Sequence, residues 1–266
     1  MSATPKPPAT PAAAVEKPKP ALGQERDSAF LWEAVRKRPN PLVSIAFTVP
    51  VFLLYHLGIL SVNRHHDVDF ISTVVLRLLN ASTPAYVLVT LAVALALLVI
   101  AWVQQKRGKA EVHPFKRVFV ESLGAALLIL MSIGWATHEV RTGEALDVPT
   151  YGFFEKLVLA AGAGFHEEFI FRALLITGAS WVLMKLAKWK TKRMQWVSLV
   201  ICSLISSVLF SLAHYFVLAD EAFVMQVAGF RVLEGLLFAA LYITRGFATV
   251  VYAHALYDLM AFYLYS

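Results

Sequence analysis

Ionisable side chains lie inside otherwise apolar stretches in the C-terminal half of this 266-residue chain. An ionisable group near the middle of a bilayer costs about 2.5 to 3.5 kcal/mol on insertion scales, so each one needs a charged partner or a function. Several such groups facing lipid separately would cost more than the net stability of a domain. We therefore expect them to converge on a shared polar site. They are His166, Glu167, Glu168, Arg172, His214, Arg231, Glu234, His254 and Asp258.

Helical spacing indicates how some of these groups pair. Glu168 and Arg172 are four residues apart, so they share one helix face and are expected to form an ion pair. Glu167 is rotated by about 100° from that face. It is left without that partner and is available for chemistry. His254 and Asp258 are also four apart, so the carboxylate can orient the imidazole or share a site with it.

The same residue types also permit a metal site. Glu167, His214 and His254 could coordinate Zn²⁺ with a water in the open position. His166 and Glu167 begin the zinc-binding pattern H-E-x-x-H, but residue 170 is isoleucine, so the second ligand on that helix is missing. Catalysis by a glutamate side chain without a cofactor is therefore favoured, and zinc-dependent catalysis is the alternative.

The composition predicts an all-α, polytopic membrane protein, because 58% of the residues are hydrophobic, 16% are charged and the mean hydropathy is +0.64. We expect about seven to eight transmembrane or membrane-embedded helices around a polar intramembrane cavity. A crossing needs about 20 apolar residues. The fourth helix is too long for one straight crossing, so we predict a break at Gly162 and Gly164 that separates 151–163 from 165–185. The predicted helices are 41–61, 84–103, 118–137, 151–184, 196–217, 222–243 and 246–264, with an amphipathic segment near 69–80.

Three regions follow from this pattern. Residues 1–40 form a Pro-, Ala- and Lys-rich tail and linker that lacks the apolar core of a signal peptide and is expected to stay attached and disordered. Residues 41–117 form N-terminal transmembrane helices, and residues 118–266 form the catalytic core.

Lysine and arginine cluster on one side of the predicted helices, which indicates a cytoplasmic N-terminus. We expect the protein in the inner (plasma) membrane of a bacterium. The net charge of +6 is explained by these clusters, so no nucleic-acid partner is predicted. The residues are Arg36, Lys37, Arg38, Lys106, Arg107, Lys109, Lys116, Arg117, Lys185, Lys188, Lys190, Lys192 and Arg193.

The remaining polar residues in the apolar spans have structural interpretations. Arg231 and Glu234 are three apart and are expected to form an ion pair that holds helices together. His56 is expected to be a hydrogen-bonded core histidine. Glu121 is expected to extend to the cytoplasmic interface, and Cys202 to be a small buried side chain.

Three motifs resemble the CAAX-protease and bacteriocin-processing family of intramembrane proteases, which includes the Ras-converting prenyl endopeptidases. The family's Glu-Glu-x-x-x-Arg is similar to Glu167, Glu168 and Arg172. Its Phe-x-x-x-His is similar to Phe210 and His214, and its His-x-x-x-Asn/Asp to His254 and Asp258. The likeness covers about residues 120–264, and the first 118 residues match nothing specific.

The resemblance implies an endopeptidase in which Glu167 activates a water with help from His214. Glu168 and Arg172 would fix the helix geometry, and His254 and Asp258 would stabilise the oxyanion. Asp258 stands where many members have asparagine, and an ionised aspartate cannot donate a hydrogen bond to an oxyanion. It would instead polarise His254 or be protonated.

The expected partner is a membrane-associated protein or peptide within the lipid bilayer. Counted from the basic helix ends, Glu167 and His214 lie at matching depths in the outer half of the membrane. This depth favours exported substrates with a leader peptide or a C-terminal sorting tail, as cut by the myxosortases, over cytosolic prenylated ones. Two other classes stay open: a non-catalytic scaffold or immunity protein with the same fold, and a proton-coupled transporter.

Overall fold

A computed structural model describes residues 40–62, 69–107, 115–134, 151–216 and 223–264. Every regular element within these ranges is a helix, which confirms the all-α prediction. The predicted tail before residue 40 lies outside the described residues. So do residues 63–68, 108–114, 135–150 and 217–222, among them Lys109, which was used to predict the topology.

The first predicted helix is two helices, α1 (Pro41–Phe47) and α2 (Val49–Val62), which meet at a bend of 44°. Pro50 explains the bend, because proline has no N–H to donate to the carbonyl of residue 46 and its ring clashes with that carbonyl. The Thr48 N–H instead donates to Ile45 O at 3.0 Å. The predicted amphipathic segment is α3 (Phe70–Leu78), which is capped by the Asp69 side chain.

The other helices begin and end within a few residues of the predicted bounds. They are α4 (Thr83–Lys106), α5 (Phe115–Ile129), α6 (Phe153–Glu168), α7 (Ala179–Leu186), α8 (Lys192–Phe216), α9 (Met225–Arg245) and α10 (Phe247–Leu264). A short π-helical stretch, Leu130–Gly134, extends α5. Gly246 joins α9 to α10 with φ at 94°, a conformation that favours glycine.

The predicted break at Gly162 and Gly164 is wrong, because α6 runs through both residues. Gly164 serves a close approach to α10 instead. A Cβ at this position would lie 2.7 Å from Val251 O and 2.8 Å from the Ala255 Cβ. The irregularity of this long helix lies further on, in a π-helical segment, Phe169–Gly178, that connects α6 to α7. Such segments frequently occur at functional sites.

Five helices in the described ranges are long and apolar enough to cross a membrane, or six if α1 and α2 count as one bent span. The α6–α7 helix, Phe153–Leu186, counts as one of them. Large apolar side chains are exposed on these helices, for example Leu88, Leu95 and Trp102 on α4. This pattern is typical of surfaces that contact lipid rather than water.

Helix α6 lies at the centre of the packing, in contact with α2 on one side and with α10 on another. Val158 of α6 is fully buried in an apolar cluster with Tyr55 of α2 and Val250 of α10. The polar residues of α6 are therefore placed where both neighbouring helices can reach them.

Candidate active site

The predicted ion pair between Glu168 and Arg172 is present and buried. Arg172 Nη1 lies 3.1 Å from Glu168 Oε1, and both side chains are almost wholly excluded from the surface. The guanidinium also lies over the rings of Phe210 and Phe238, 4.6 and 5.5 Å from their centroids. The carboxylate and the aromatic faces together compensate for burying the arginine charge.

Helix α10 contributes His254 to the same cluster. Its Nδ1 lies 2.7 Å from Glu168 Oε1, so one carboxylate oxygen contacts both the imidazole and Arg172. Its ring stacks on Phe238, with the centroids 4.6 Å apart. This bond connects α10 to α6 through buried charged groups.

The other ring nitrogen of His254 faces two more carboxylates. His254 Nε2 lies 3.9 Å from Glu167 Oε2 and 3.6 Å from Asp258 Oδ2. Ionised carboxylates only accept hydrogen bonds, so a ring with a proton on each nitrogen is the form that complements all of these neighbours. Glu167 is buried and contacts His254, so it lies on the face expected for a residue that does not pair with Arg172.

His214 approaches this cluster from α8. Its Nδ1 lies 3.0 Å from Phe210 O, and since a carbonyl only accepts, Nδ1 carries a proton. In the neutral ring the lone pair is then on Nε2, which can accept a proton. The Phe210 ring lies 5.1 Å from the His214 ring and 5.9 Å from the His254 ring. Phe210 therefore contacts both motif histidines.

Glu234 belongs to the same cluster, as expected from its place among the ionisable groups of the apolar spans, although its spacing indicated a structural pair with Arg231. Its buried carboxyl group interacts electrostatically with His254, Asp258 and Glu167 as well as with Arg231. Tyr257 hydrogen-bonds to it from α10. The sequence signal for this role was weak, because neither spacing nor motif connects Glu234 to α6 or α10.

A second polar network lies on the other side of α6, around Asp69. Asp69 accepts hydrogen bonds from Tyr55 Oη and from the Ser72 N–H, both at 2.8 Å. His166 Nε2 lies 3.1 Å from Asp69 Oδ1. Burial raises the pKa of Asp69, but the hydrogen bond and charge of His166 and the hydrogen bonds of Ser72 outweigh it and hold that pKa well below its usual range.

His56 is part of this second network, as a hydrogen-bonded core histidine. Its Nδ1 lies 2.7 Å from Tyr86 Oη and 3.1 Å from Ser72 Oγ. The prediction for His56 is thus confirmed. The role of Asp69 was missed, because no motif or helical spacing connects it to the other candidate residues.

The alternative zinc site stays untested. Among the described residues, no group of three His, Cys, Asp or Glu side chains is arranged to hold a metal ion. Of the candidate ligands Glu167, His214 and His254, the last binds Glu168 through Nδ1, which leaves Nε2 as the nitrogen that could face a metal.

A comparison with known protein families matches the part of the chain that contains this site. Residues 149–260 match the family model described as Type II CAAX prenyl endopeptidase Rce1-like. This segment belongs to the Rce1-like CAAX endopeptidase family. The predicted resemblance is therefore confirmed, and the CAAX endopeptidase segment contains all of the candidate residues from Glu167 to Asp258. No curated protein and no solved structure matches the chain.

The family match and the apolar helices together support an integral, multi-pass membrane protein. Helices α1 to α5 lie outside the matched segment. The network around Asp69 is therefore built largely by residues that the family match does not include.

Proposed function

We propose that this protein is an intramembrane endopeptidase that hydrolyses a peptide bond in a membrane-associated protein, with Glu167 as the general base. One observation carries the proposal: Glu167, Glu168 and His254 are buried together between α6 and α10, and the partly exposed Asp258 lies beside them. The cluster lies within the CAAX endopeptidase segment. Buried carboxylates beside an imidazole are suited to moving protons.

In the proposed reaction, Glu167 takes a proton from a water while the water oxygen attacks the carbonyl carbon of the substrate. Nε2 of His214 accepts the second hydrogen bond of that water. The tetrahedral intermediate then collapses, the C–N bond breaks, and the proton held by Glu167 passes to the leaving amine. The products are one new carboxyl group and one new amino group.

His254 is the proposed donor to the oxyanion. With Nδ1 directed to Glu168, the Nε2–H is the group that can donate to the developing negative charge. Asp258 lies 3.6 Å from this nitrogen and would polarise the ring, which suits an aspartate at this position. Glu168 and Arg172 are positioning residues, since their ion pair fixes the start of the π-helical segment.

We further propose that the substrates are exported or membrane-anchored proteins and that the N-terminus is cytoplasmic. The basic residues Lys185 and Lys192 lie at the ends of α7 and α8 that face one another across a short turn. Under the positive-inside rule this turn is cytoplasmic. His214 lies near the opposite end of α8, and Glu167 lies in the α6–α7 helix 18 residues before Lys185, about 27 Å from this turn. These depths favour a sorting tail or leader peptide over a cytosolic prenylated tail.

Processing of membrane proteins in the native organism tests the proposal. Cells that lack the gene are complemented with the wild type, Glu167→Gln, His214→Ala or Glu155→Gln, and cleaved and uncleaved peptides are quantified by mass spectrometry. Glu155→Gln is the matched control, because it makes the same substitution in the first turn of the same helix. Loss of a general base is expected to slow cleavage by about 10²- to 10⁴-fold, so Glu167→Gln should accumulate precursors.

Each variant must reach the membrane at the wild-type level for the comparison to count. Normal processing of every precursor by Glu167→Gln and His214→Ala would overturn the protease proposal. If those variants also complemented the deletion strain, the proposal of a non-catalytic scaffold would replace the protease proposal.

A further inference from the structure

Glu167 lies between His166 and Glu168 in the sequence, and both of these neighbours are held in place by charged side chains. Successive residues of an α-helix point about 100° apart, so His166, Glu167 and Glu168 project in three different directions. Glu168 is held on the α10 side by His254 and Arg172. His166 is held on the other side by Asp69. The rotation of α6 about its axis is thereby fixed on both sides of Glu167.

Both ring nitrogens of His166 lie beside buried acceptor atoms. Its Nδ1 lies 3.1 Å from Gly162 O. Its Nε2 lies 3.1 Å from Asp69 Oδ1. Because an ionised carboxylate only accepts hydrogen bonds, a proton on Nε2 would be directed at Asp69. Both side chains are 1% exposed or less.

Asp69 is itself held by two other parts of the N-terminal region. Tyr55 of α2 donates to Oδ2 and the backbone N–H of Ser72 in α3 donates to Oδ1. Both donors suit an ionised carboxylate. Because Asp69 is also the N-cap of α3, moving it would disturb the start of that helix, so its place is well determined.

We propose that Asp69 and His166 are positioning residues for the catalytic base, and that α2 and α3 thereby complete an active site whose reacting groups all lie in the CAAX endopeptidase segment. This inference rests on the proposed function of Glu167. It assigns a task to helices outside the family match: they hold α6 so that Glu167 faces His254.

The expected effect follows from how sharply catalysis depends on geometry. A misplacement of about 1 Å can reduce a rate by about 10²-fold. Asp69→Asn removes the charge that holds His166 but keeps the size of the side chain. We expect it to lower kcat by about 10- to 100-fold, with KM nearly unchanged, because neither residue is proposed to touch the substrate.

The first test does not depend on any enzymatic activity. Nitrogen NMR spectra of the protein in nanodiscs, labelled only at histidine, report whether both ring nitrogens of each histidine are protonated. The signals of His166 are assigned by their loss in His166→Gln. The expected result is a proton on Nε2 of His166 in the wild type, with a signal that changes in Asp69→Asn. An unprotonated Nε2 in the wild type would overturn the inference.

The second test measures kcat and KM on a substrate that the peptide comparison identifies. The variants are Asp69→Asn, His166→Gln, the double variant, Glu167→Gln and the control Tyr86→Phe. Tyr86 is buried in the same network, but its hydroxyl bonds His56 and Ser72 rather than Asp69 or His166. If Asp69 and His166 act as a pair, the double variant should be no slower than the slower single variant.

The outcomes separate the two proposals. Wild-type kcat in both Asp69→Asn and His166→Gln, with Glu167→Gln inactive, overturns the positioning role and leaves the protease intact. Activity of Glu167→Gln equal to the wild type overturns both. Thermal unfolding of each variant shows whether it is folded. If Asp69→Asn is not, His166→Gln carries the test, since it removes the imidazole while Asp69 keeps its hydrogen bonds from Tyr55 and Ser72.

Discussion

The two sides of α6 hold their buried polar groups in different ways. The α10 side, defined by Glu168, Arg172, His254 and Asp258, consists of charged groups, and among the described residues Glu168 Oε2 and Arg172 Nε have no hydrogen-bond partner. On the α2–α3 side, defined by Asp69, His166, Tyr55, Ser72, His56 and Tyr86, hydroxyl groups bond the imidazole and the carboxylate.

This difference suggests a division of tasks. Buried polar atoms are almost always hydrogen-bonded in native proteins, and exceptions need an explanation. The exceptions on the α10 side lie beside Glu167, where the proposed reaction requires water and a substrate carbonyl. Of the residues that define the α2–α3 side, only His166 has such an atom, its Nε2, and this atom lies 3.1 Å from the charged Asp69 Oδ1. The α2–α3 side supports the helix that carries the base.

Removing a charge from the α10 side should have the largest effect on stability. Arg172→Met leaves Glu168 buried with His254 as its remaining charged partner, and breaking a buried ion pair in this way costs about 3 to 5 kcal/mol. Chemical unfolding in detergent micelles measures the loss. The double variant Glu168→Gln/Arg172→Met leaves no uncompensated charge in this pair and should be less destabilised than Arg172→Met alone.

That double variant should also be inactive, because the charged contacts that fix His254 and the π-helical segment are gone. Were it as unstable as Arg172→Met, packing of the arginine against Phe210 and Phe238 would be the dominant contribution rather than charge. The contrast between a charged and a hydrogen-bonded side would then lose its main support.

Substituting the glycines at which neighbouring helices and α6 approach one another should have a smaller effect on stability. At Gly164 a Cβ would meet the backbone of α10, with Val251 O at 2.7 Å. At Gly58 of α2 it would meet only the side chain of Val158. Gly164→Ala should therefore cost about 1 to 3 kcal/mol, in the range for overpacked sites, and Gly58→Ala should cost less.

Gly124→Ala is the control for these two variants. Nothing lies within 4 Å of a Cβ at Gly124, and alanine is the better helix former by about 1 kcal/mol, so this variant should be neutral or more stable. All three are compared by thermal unfolding. Equal costs at Gly58 and Gly164 would show that α2 is packed against α6 as rigidly as α10.

The α10 side could be predicted from the sequence because its residues come in pairs four apart. Each pair, Glu168 with Arg172 and His254 with Asp258, indicates one helix face. The apolar stretches of the sequence predicted where the helices lie. The α2–α3 side could not, because Asp69, His56 and Tyr86 come singly from separate helices and meet only after folding. The tight approach at Gly164 was misread as a break, since spacing alone does not distinguish a glycine that bends a helix from one that admits a neighbour.

The smallest effect is expected at Tyr86, on the hydrogen-bonded side. Tyr86→Phe removes one hydroxyl that bonds His56 and Ser72. His56 Nδ1 and Ser72 Oγ remain 3.1 Å apart and can still bond each other. The free energy of unfolding should therefore fall by about 0.5 to 1.5 kcal/mol, the usual net contribution of one hydrogen bond.

Cleavage by Tyr86→Phe should stay at the wild-type rate, because the hydroxyl contacts neither His166 nor any residue of the α10 side. Unfolding in detergent and peptide cleavage measured on the same preparation check both expectations together. A loss of cleavage as large as that expected for Asp69→Asn would mean that the whole α2–α3 network, rather than the Asp69–His166 pair, determines how α6 presents Glu167. The position of Glu167 would then depend on hydrogen bonds as strongly as on charge.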